Sequence, residues 1–219
     1  MSDRIPKAKI QAILGSIPNP TVVELGAHRG TDTEWLYAAC KGKVTYLAVE
    51  PDYRHWDALW AICSPRDIRM VSFAVGAANE TRHLHLAVTD GVPASSSLRK
   101  PATHLDAFPS IGFEKAPVES VVKTLDRLMY VHGVQPDFIW ADIQGSEGDM
   151  IKGGCGTLRK TKWVYCESYN VEMYAGQMLR PEFLREMSTL GFEVEDEDRD
   201  NVLLRNTLLL PPAQDGAKP

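Results

Sequence analysis

The segment Glu24-Leu25-Gly26-Ala27-His28-Arg29-Gly30 closes an apolar, β-branched run, TVVELGA (21–27), and opens a helical pattern. Glycines at such a turn let the backbone bend tightly and approach a ligand, while the helix N-terminus offers free N–H groups to an anion. Glu50 follows Gly30 by twenty residues and ends a second strand-like run, VTYLAVE (44–50). An acid at that place can accept both hydroxyls of a ribose. Loop and acid together imply a nucleoside-containing cofactor. A dinucleotide fingerprint needs glycine at the middle of G-x-G-x-x-G so that the backbone reaches the pyrophosphate. Here that position is His28, whose side chain would obstruct the approach. S-adenosylmethionine (SAM) has no pyrophosphate, and its carboxylate needs only one or two N–H donors. The loop therefore favours SAM over NAD. The competing readings are a strand–turn–helix with glycine for packing alone, an NAD-dependent oxidoreductase or epimerase, and a noncatalytic SAM-binding module. Tyr37-x-x-x-Lys41 has the spacing of a short-chain dehydrogenase pair, but it falls one helix after the loop, too early for that layout.

Methyl transfer is an in-line displacement at carbon, in which alignment of the reactants supplies roughly 7–11 kcal/mol. An alcohol acceptor must also lose its proton, and a placed carboxylate contributes about 10²–10⁴-fold to that step. In a doubly wound sheet the chemistry lies beyond the carboxyl ends of the strands. That singles out Asp142 after DFIWADI, Glu167 near the end of KWVYCES, and Glu147 just beyond Asp142. Asp142 is the first choice as base or organiser. Helix capping is its structural alternative, as attraction to a helix dipole is for Glu147. Asp142 and Glu167 also permit Mg²⁺ without requiring it. His83-x-His85 face one way on a strand but lack a third ligand, and read as a surface face.

Six blocks in order resemble the FkbM family of SAM-dependent methyltransferases, over roughly residues 21–170. VVELGAHRG resembles its glycine loop and YLAVEPD its second-strand acid; SFAVGAANETRHLHLA resembles the segment near adenine, and SSSL (95–98) the serine cluster. VVKTLDRLM and IWADIQGSEGDMIKGG resemble the T-L-D and D-V-E-G-A-E-x-x-x-L-x-G blocks. Gln144 stands where the family usually has Glu, and Ser146 where it has Ala. The resemblance implies an O-methyltransferase acting on a small metabolite, sugar or glycan. It also implies cofactor contacts from Glu24, Gly26, Ala27, His28, Gly30, Glu50, Pro51, Ser72, Ala74 and Asp142.

These residues need a scaffold. The first 75 residues alternate strand–helix–strand–helix–strand, with IRMVSFAV (68–75) as third strand. That order predicts parallel strands joined by crossover helices. The expected fold is α/β: a Rossmann-like, doubly wound, seven-stranded, mostly parallel sheet closed by a C-terminal antiparallel hairpin, the class I methyltransferase fold. One domain spans 1–210, with a helix from about 146 to 152 and a disordered tail at 211–219. Residues 91–118 hold four prolines and three consecutive serines. An irregular segment of that length is often a lid. Ser95, Ser96 and Ser97 are expected to hydrogen-bond a polyol acceptor there, and Phe108 to cover an apolar face.

Composition narrows the partners. Of 29 acids against 24 bases, six acids and one Arg fall in EVEDEDRD (193–200), read as a solvated hairpin turn; the remainder balances at 23 against 23. A neutral body opposes nucleic-acid or membrane binding, and Asp142-Ile143-Gln144-Gly145 is not the [DN]-P-P-[YF] block of amino-group methylases. Four scattered cysteines and an N-terminus without a long apolar stretch fit the cytoplasm. A homo-oligomer is compatible with the sequence.

Overall fold

The computed structural model describes residues 5–89 and 94–210. After α1 (Lys7–Ser16) the chain forms β1 (Thr21–Leu25), α2 (Thr31–Ala39), β2 (Thr45–Val49), α3 (Trp56–Cys63) and β3 (Arg69–Val71). A smaller layer follows: β4 (Ala74–Val75), β5 (Glu80–Leu84), β6 (Ala87–Val88), α4 (His104–Ala107), β7 (Gly112–Phe113) and β8 (Val118–Lys123). The chain then returns through α5 (Leu125–His132), β9 (Phe138–Ala141), α6 (Glu147–Leu158), β10 (Trp163–Glu167), α7 (Arg180–Thr189), β11 (Phe192–Glu197) and β12 (Asn201–Asn206).

The seven-stranded sheet runs β11-β12-β10-β9-β1-β2-β3. Its pairs are parallel except those made by β12, which opposes both β10 and β11. Alternation along each strand explains the layers. Val23, Leu25, Val49 and Ile139 pack with Leu128, Met150 and Phe183 of α5–α7 on one face. Val22, Tyr46, Ala48 and Phe138 pack with Leu14, Leu36 and Leu59 of α1–α3 on the other. Strands buried on both faces read as continuous apolar runs, as they do here. This is the doubly wound sheet expected, hairpin included. No helix among the described residues is long and apolar enough to cross a membrane.

Four local expectations change. The run 68–75 is not one strand: β3 ends at Val71, and Ala74–Val75 pairs instead with β8 in the smaller sheet. Helix α6 does not stop near 152 but continues to Leu158 through a kink at Gly154. A Cβ at Gly154 would lie 2.7 Å from the Leu125 side chain, so this glycine serves helix packing rather than termination. The acidic hairpin is partly ion-paired: Lys9 Nζ lies 3.0 Å from Asp196, and Arg205 lies 3.3 Å from Glu195. The irregular segment is pinned. Ala102 and His104 donate backbone N–H groups to the Met173 carbonyl, and the Ala175 N–H is donated to Lys100. Residues 91–93 of that segment and the tail at 211–219 lie outside the described residues.

Candidate active site

The turn after β1 and the turn after β9 lean on each other at the carboxyl edge of the sheet. The Gly26 N–H and Ala27 N–H both reach the Val49 carbonyl, and the Asp142 N–H reaches the Leu25 carbonyl. Gly26 has φ +85°, and a Cβ there would lie 1.8 Å from the Asp142 carbonyl oxygen. Glycine is thus required for contact between two loops. Gly30, also at positive φ, precedes α2 and packs on Ile62 outside the cleft.

Beyond these turns opens a cleft with a cavity volume of about 150 Å³. Gly26, Ala27, His28 and the first helical residues Thr31 and Asp32 form one wall. Glu50 and Pro51 at the end of β2 form a second; Phe73, Ala74, Val75, Leu84 and Leu98 give an apolar third. Asp142, Ile143, Gln144 and Ser146, on the turn that adjoins Gly26, complete the lining. Among the described residues, four non-glycine residues have positive φ: Asn19, His28, Asp67 and Gln144. Two of them, His28 and Gln144, line this cleft. Such strain persists where surrounding structure enforces it, often at functional sites.

Each expected residue can be placed. The Glu50 carboxylate accepts the His28 N–H and the Asp52 N–H, both at 2.7 Å, while burial pushes its pKa up to about 7. The His28 ring stacks edge-on against His55 at 4.0 Å, and burial with this neighbour pushes His55 down to about 4. Glu24 is not at the cleft. It faces the α2 side of the sheet, where its carboxylate accepts the Thr33 hydroxyl at 2.6 Å and the Tyr46 hydroxyl at 2.8 Å. Its position in β1 puts its side chain on the core face, and burial raises its pKa to about 8. Ser72 is exposed because the chain turns over after β3, and Phe73 takes its place on the wall.

Two of the three serine hydroxyls are committed internally. Ser96 Oγ donates to Asp52 at 2.8 Å and accepts from Ala87 N–H and Arg54. Ser97 Oγ donates to the Gln144 carbonyl at 2.6 Å. Ser95 is buried, and its carbonyl accepts from the Tyr174 hydroxyl. Phe108 is half exposed and packs on His104 rather than on the cleft. The serine cluster therefore fastens the irregular segment to the sheet.

On the turn after β9, the Gln144 amide nitrogen donates to Asp142 Oδ1 and, at 2.9 Å, to Glu167 Oε2. The Tyr174 hydroxyl donates to Gln144 Oε1, fixing the amide's orientation, and the Tyr169 hydroxyl donates to Glu167. Burial raises Asp142, with the Gln144 bond opposing; burial and the Asp142 charge raise Glu167 well above the usual range. Two carboxylates this close cannot both ionise freely. Asp142 is the member of the pair that lines the cleft. Glu147 turns away: its carboxylate accepts the Ile143 and Gly145 N–H groups and braces the turn, and burial lifts it to about 7. Gln144 and Tyr174 are the residues that the motif reading did not assign. Gln144 had a signal, as a departure from the family block; Tyr174 lies in a loop that no motif covers.

The donor set does not favour Mg²⁺. A cation between Asp142 and Glu167 would meet the N–H groups that Gln144 presents to both, and no group of three or more His, Cys, Asp or Glu among the described residues is placed to hold a metal. The cleft does fit SAM. Glu50 suits a ribose, the apolar wall suits adenine, and the α2 N-terminus suits a carboxylate.

Comparison with known proteins agrees with this architecture. The 2-O-methyltransferase NoeI of Sinorhizobium fredii (strain NBRC 101917 / NGR234) is 31% identical over 206 residues, covering 88% of this chain and 82% of NoeI. The crystal structure of methyltransferase FkbM from Methylobacillus flagellatus KT superposes with a TM-score of 0.54 at 16% identity, over 86% of this chain; the chain spans only 44% of that structure. Aeropyrum pernix fibrillarin, solved with natively bound S-adenosyl-L-methionine, superposes with a TM-score of 0.50 at 13% identity, over 90% of this chain and 73% of that one. The sequence profile of the methyltransferase FkbM domain matches residues 24–194, so this chain belongs to the FkbM methyltransferase family.

Proposed function

We propose that the protein transfers a methyl group from SAM to a hydroxyl of a small metabolite, sugar or glycan. The observation that carries this reading is the juxtaposition of two parts of one cleft. An acid-and-helix wall suits a nucleoside cofactor, and Asp142, on the adjoining turn, lines the same cleft with Gln144 joining it to Glu167. The name of NoeI supports oxygen as the methylated atom.

SAM, when bound, supplies an electrophilic methyl group and a neutral thioether leaving group. The chain's own residues do the rest. Glu50 accepts the ribose hydroxyls, and the free N–H groups of Thr31 and Asp32 take the carboxylate. Asp142 Oδ2 accepts the acceptor's hydroxyl proton, while Gln144 holds Oδ1 and keeps the carboxylate aimed. Glu167 is a positioning residue, reached through Gln144 and Tyr169. The irregular segment, tied to the 172–177 loop, walls off water and limits the acceptor to a small molecule or the end of a larger one.

Turnover of methyl-labelled SAM with a panel of sugars and glycans tests the reading. Asp142→Asn is expected to lower the rate about 10²–10⁴-fold while leaving product-cofactor affinity within a few-fold. Cofactor binding without transfer to any hydroxyl would leave a noncatalytic module and overturn the proposal.

A further inference from the structure

A second, more open concavity of about 460 Å³ lies beside Leu98, which lines both. Its polar lining is Arg82, His83, His85, Arg99 and Lys100, with no acid among them. Outside the acidic hairpin the chain carries equal numbers of acids and bases, so three cations in one cleft are a local departure from a neutral surface.

The cluster is built. Asp149 Oδ2 accepts from Arg82 at 3.2 Å and from Arg99 at 2.9 Å. Arg82 also donates to the Leu98 carbonyl, and Arg99 to the carbonyls of Ala175 and Gly176. These bonds fix both guanidiniums. Three cations against one carboxylate leave two positive charges in excess. The Lys100 ammonium has no ion-pair or hydrogen-bond partner among the described residues, and Arg99 Nε is a buried donor without an acceptor. His85 is held in register by paired backbone hydrogen bonds with Ser97 at 2.7 and 3.0 Å. Ser97 in turn donates to the Gln144 carbonyl, which ties the segment bearing His85 to the candidate active site. The His83-x-His85 pair thus faces cations, an environment that repels a metal ion and attracts an anion.

We propose that this cleft binds an oxyanion carried by the methyl acceptor: a phosphate or sulfate ester, or a carboxylate. Fixed guanidiniums and a free ammonium are the groups that recognise such oxygens. The link to the acceptor rests on the methyltransferase reading above; the binding of an oxyanion does not.

Calorimetric titration tests it, using inorganic phosphate, sulfate and D-glucuronate, with D-glucose as neutral control. Each is titrated with and without S-adenosylhomocysteine. Lys100→Glu and His85→Gln are the variants, because neither residue holds Asp149 and both are expected to fold. Saturable binding of an oxyanion, weakened by about tenfold or more in Lys100→Glu and by added salt, supports the proposal; the tightest probe identifies the source. No saturation by about 10 mM, or equal affinity in both variants and wild type, overturns it. S-adenosylhomocysteine binding without oxyanion binding defeats the cleft alone. Failure to bind S-adenosylhomocysteine defeats the methyltransferase reading alone.

Discussion

Replacing Gly26 with alanine tests whether the two site-bearing turns are locked together. The added Cβ would lie 1.8 Å from the Asp142 carbonyl oxygen, so the turns must part by roughly 1 Å or more in a close-packed region. The left-handed φ costs about 1–2 kcal/mol for alanine, and the forced displacement about 1–3 kcal/mol more. A loss of ~2–5 kcal/mol lowers Tm by ~5–20 °C in a chain this long. Gly133→Ala is the matched control. It has φ +64° but nothing within 4 Å of the added carbon, so only the backbone cost of about 1–2 kcal/mol applies. Differential scanning fluorimetry of the two variants reads the steric part as the difference. Gly26→Ala should also lose affinity for S-adenosylhomocysteine, because parting the turns moves Ala27 and Asp142 away from each other. Equal Tm losses in the two variants, with cofactor affinity unchanged, would refute the interlocked geometry.

Gln144→Ala removes the hydrogen bond to the charged form of Asp142, worth about 1.5–3 kcal/mol, and so raises Asp142 further. The rate at pH 7 is expected to fall about tenfold or more and to recover as pH rises; a pH–rate profile that does not move would contradict the bridge. Glu24→Gln acts on stability. Folding raises Glu24 from 4.5 to about 8, so the folded chain keeps a proton that the unfolded chain releases. That stability is complete below about pH 4.5 and is lost as pH rises towards 8, at most about 1.4 kcal/mol per pH unit. Urea unfolding at pH 5 and pH 8 should show a smaller decline in Glu24→Gln than in the wild type; equal declines would place the proton elsewhere.

Much of this was legible because the sheet's strands are buried on both faces. Runs such as TVVEL and FIWA carry their own boundary signals, and the acids that follow them fall at strand ends by topology. Glu50 and Asp142, read that way, both line the cleft. Glu24 was misplaced because strand alternation sends successive side chains to opposite faces, and a carboxyl pointing into a core resembles one pointing into a site. Ser72 was misplaced because a two-residue break between β3 and β4 leaves no mark in an apolar run. The serine cluster suggested free hydroxyls, but composition does not reveal that Asp52 and the Gln144 carbonyl take two of them. Tyr174 reaches Gln144 from thirty residues away, a pairing that only the fold creates.

The most direct test is a crystal structure with S-adenosylhomocysteine. Glu50 is expected within hydrogen-bond distance of both ribose hydroxyls, with the sulfur directed towards Asp142. A ribose turned away from Glu50, or a cofactor outside this cleft, would contradict the assignment.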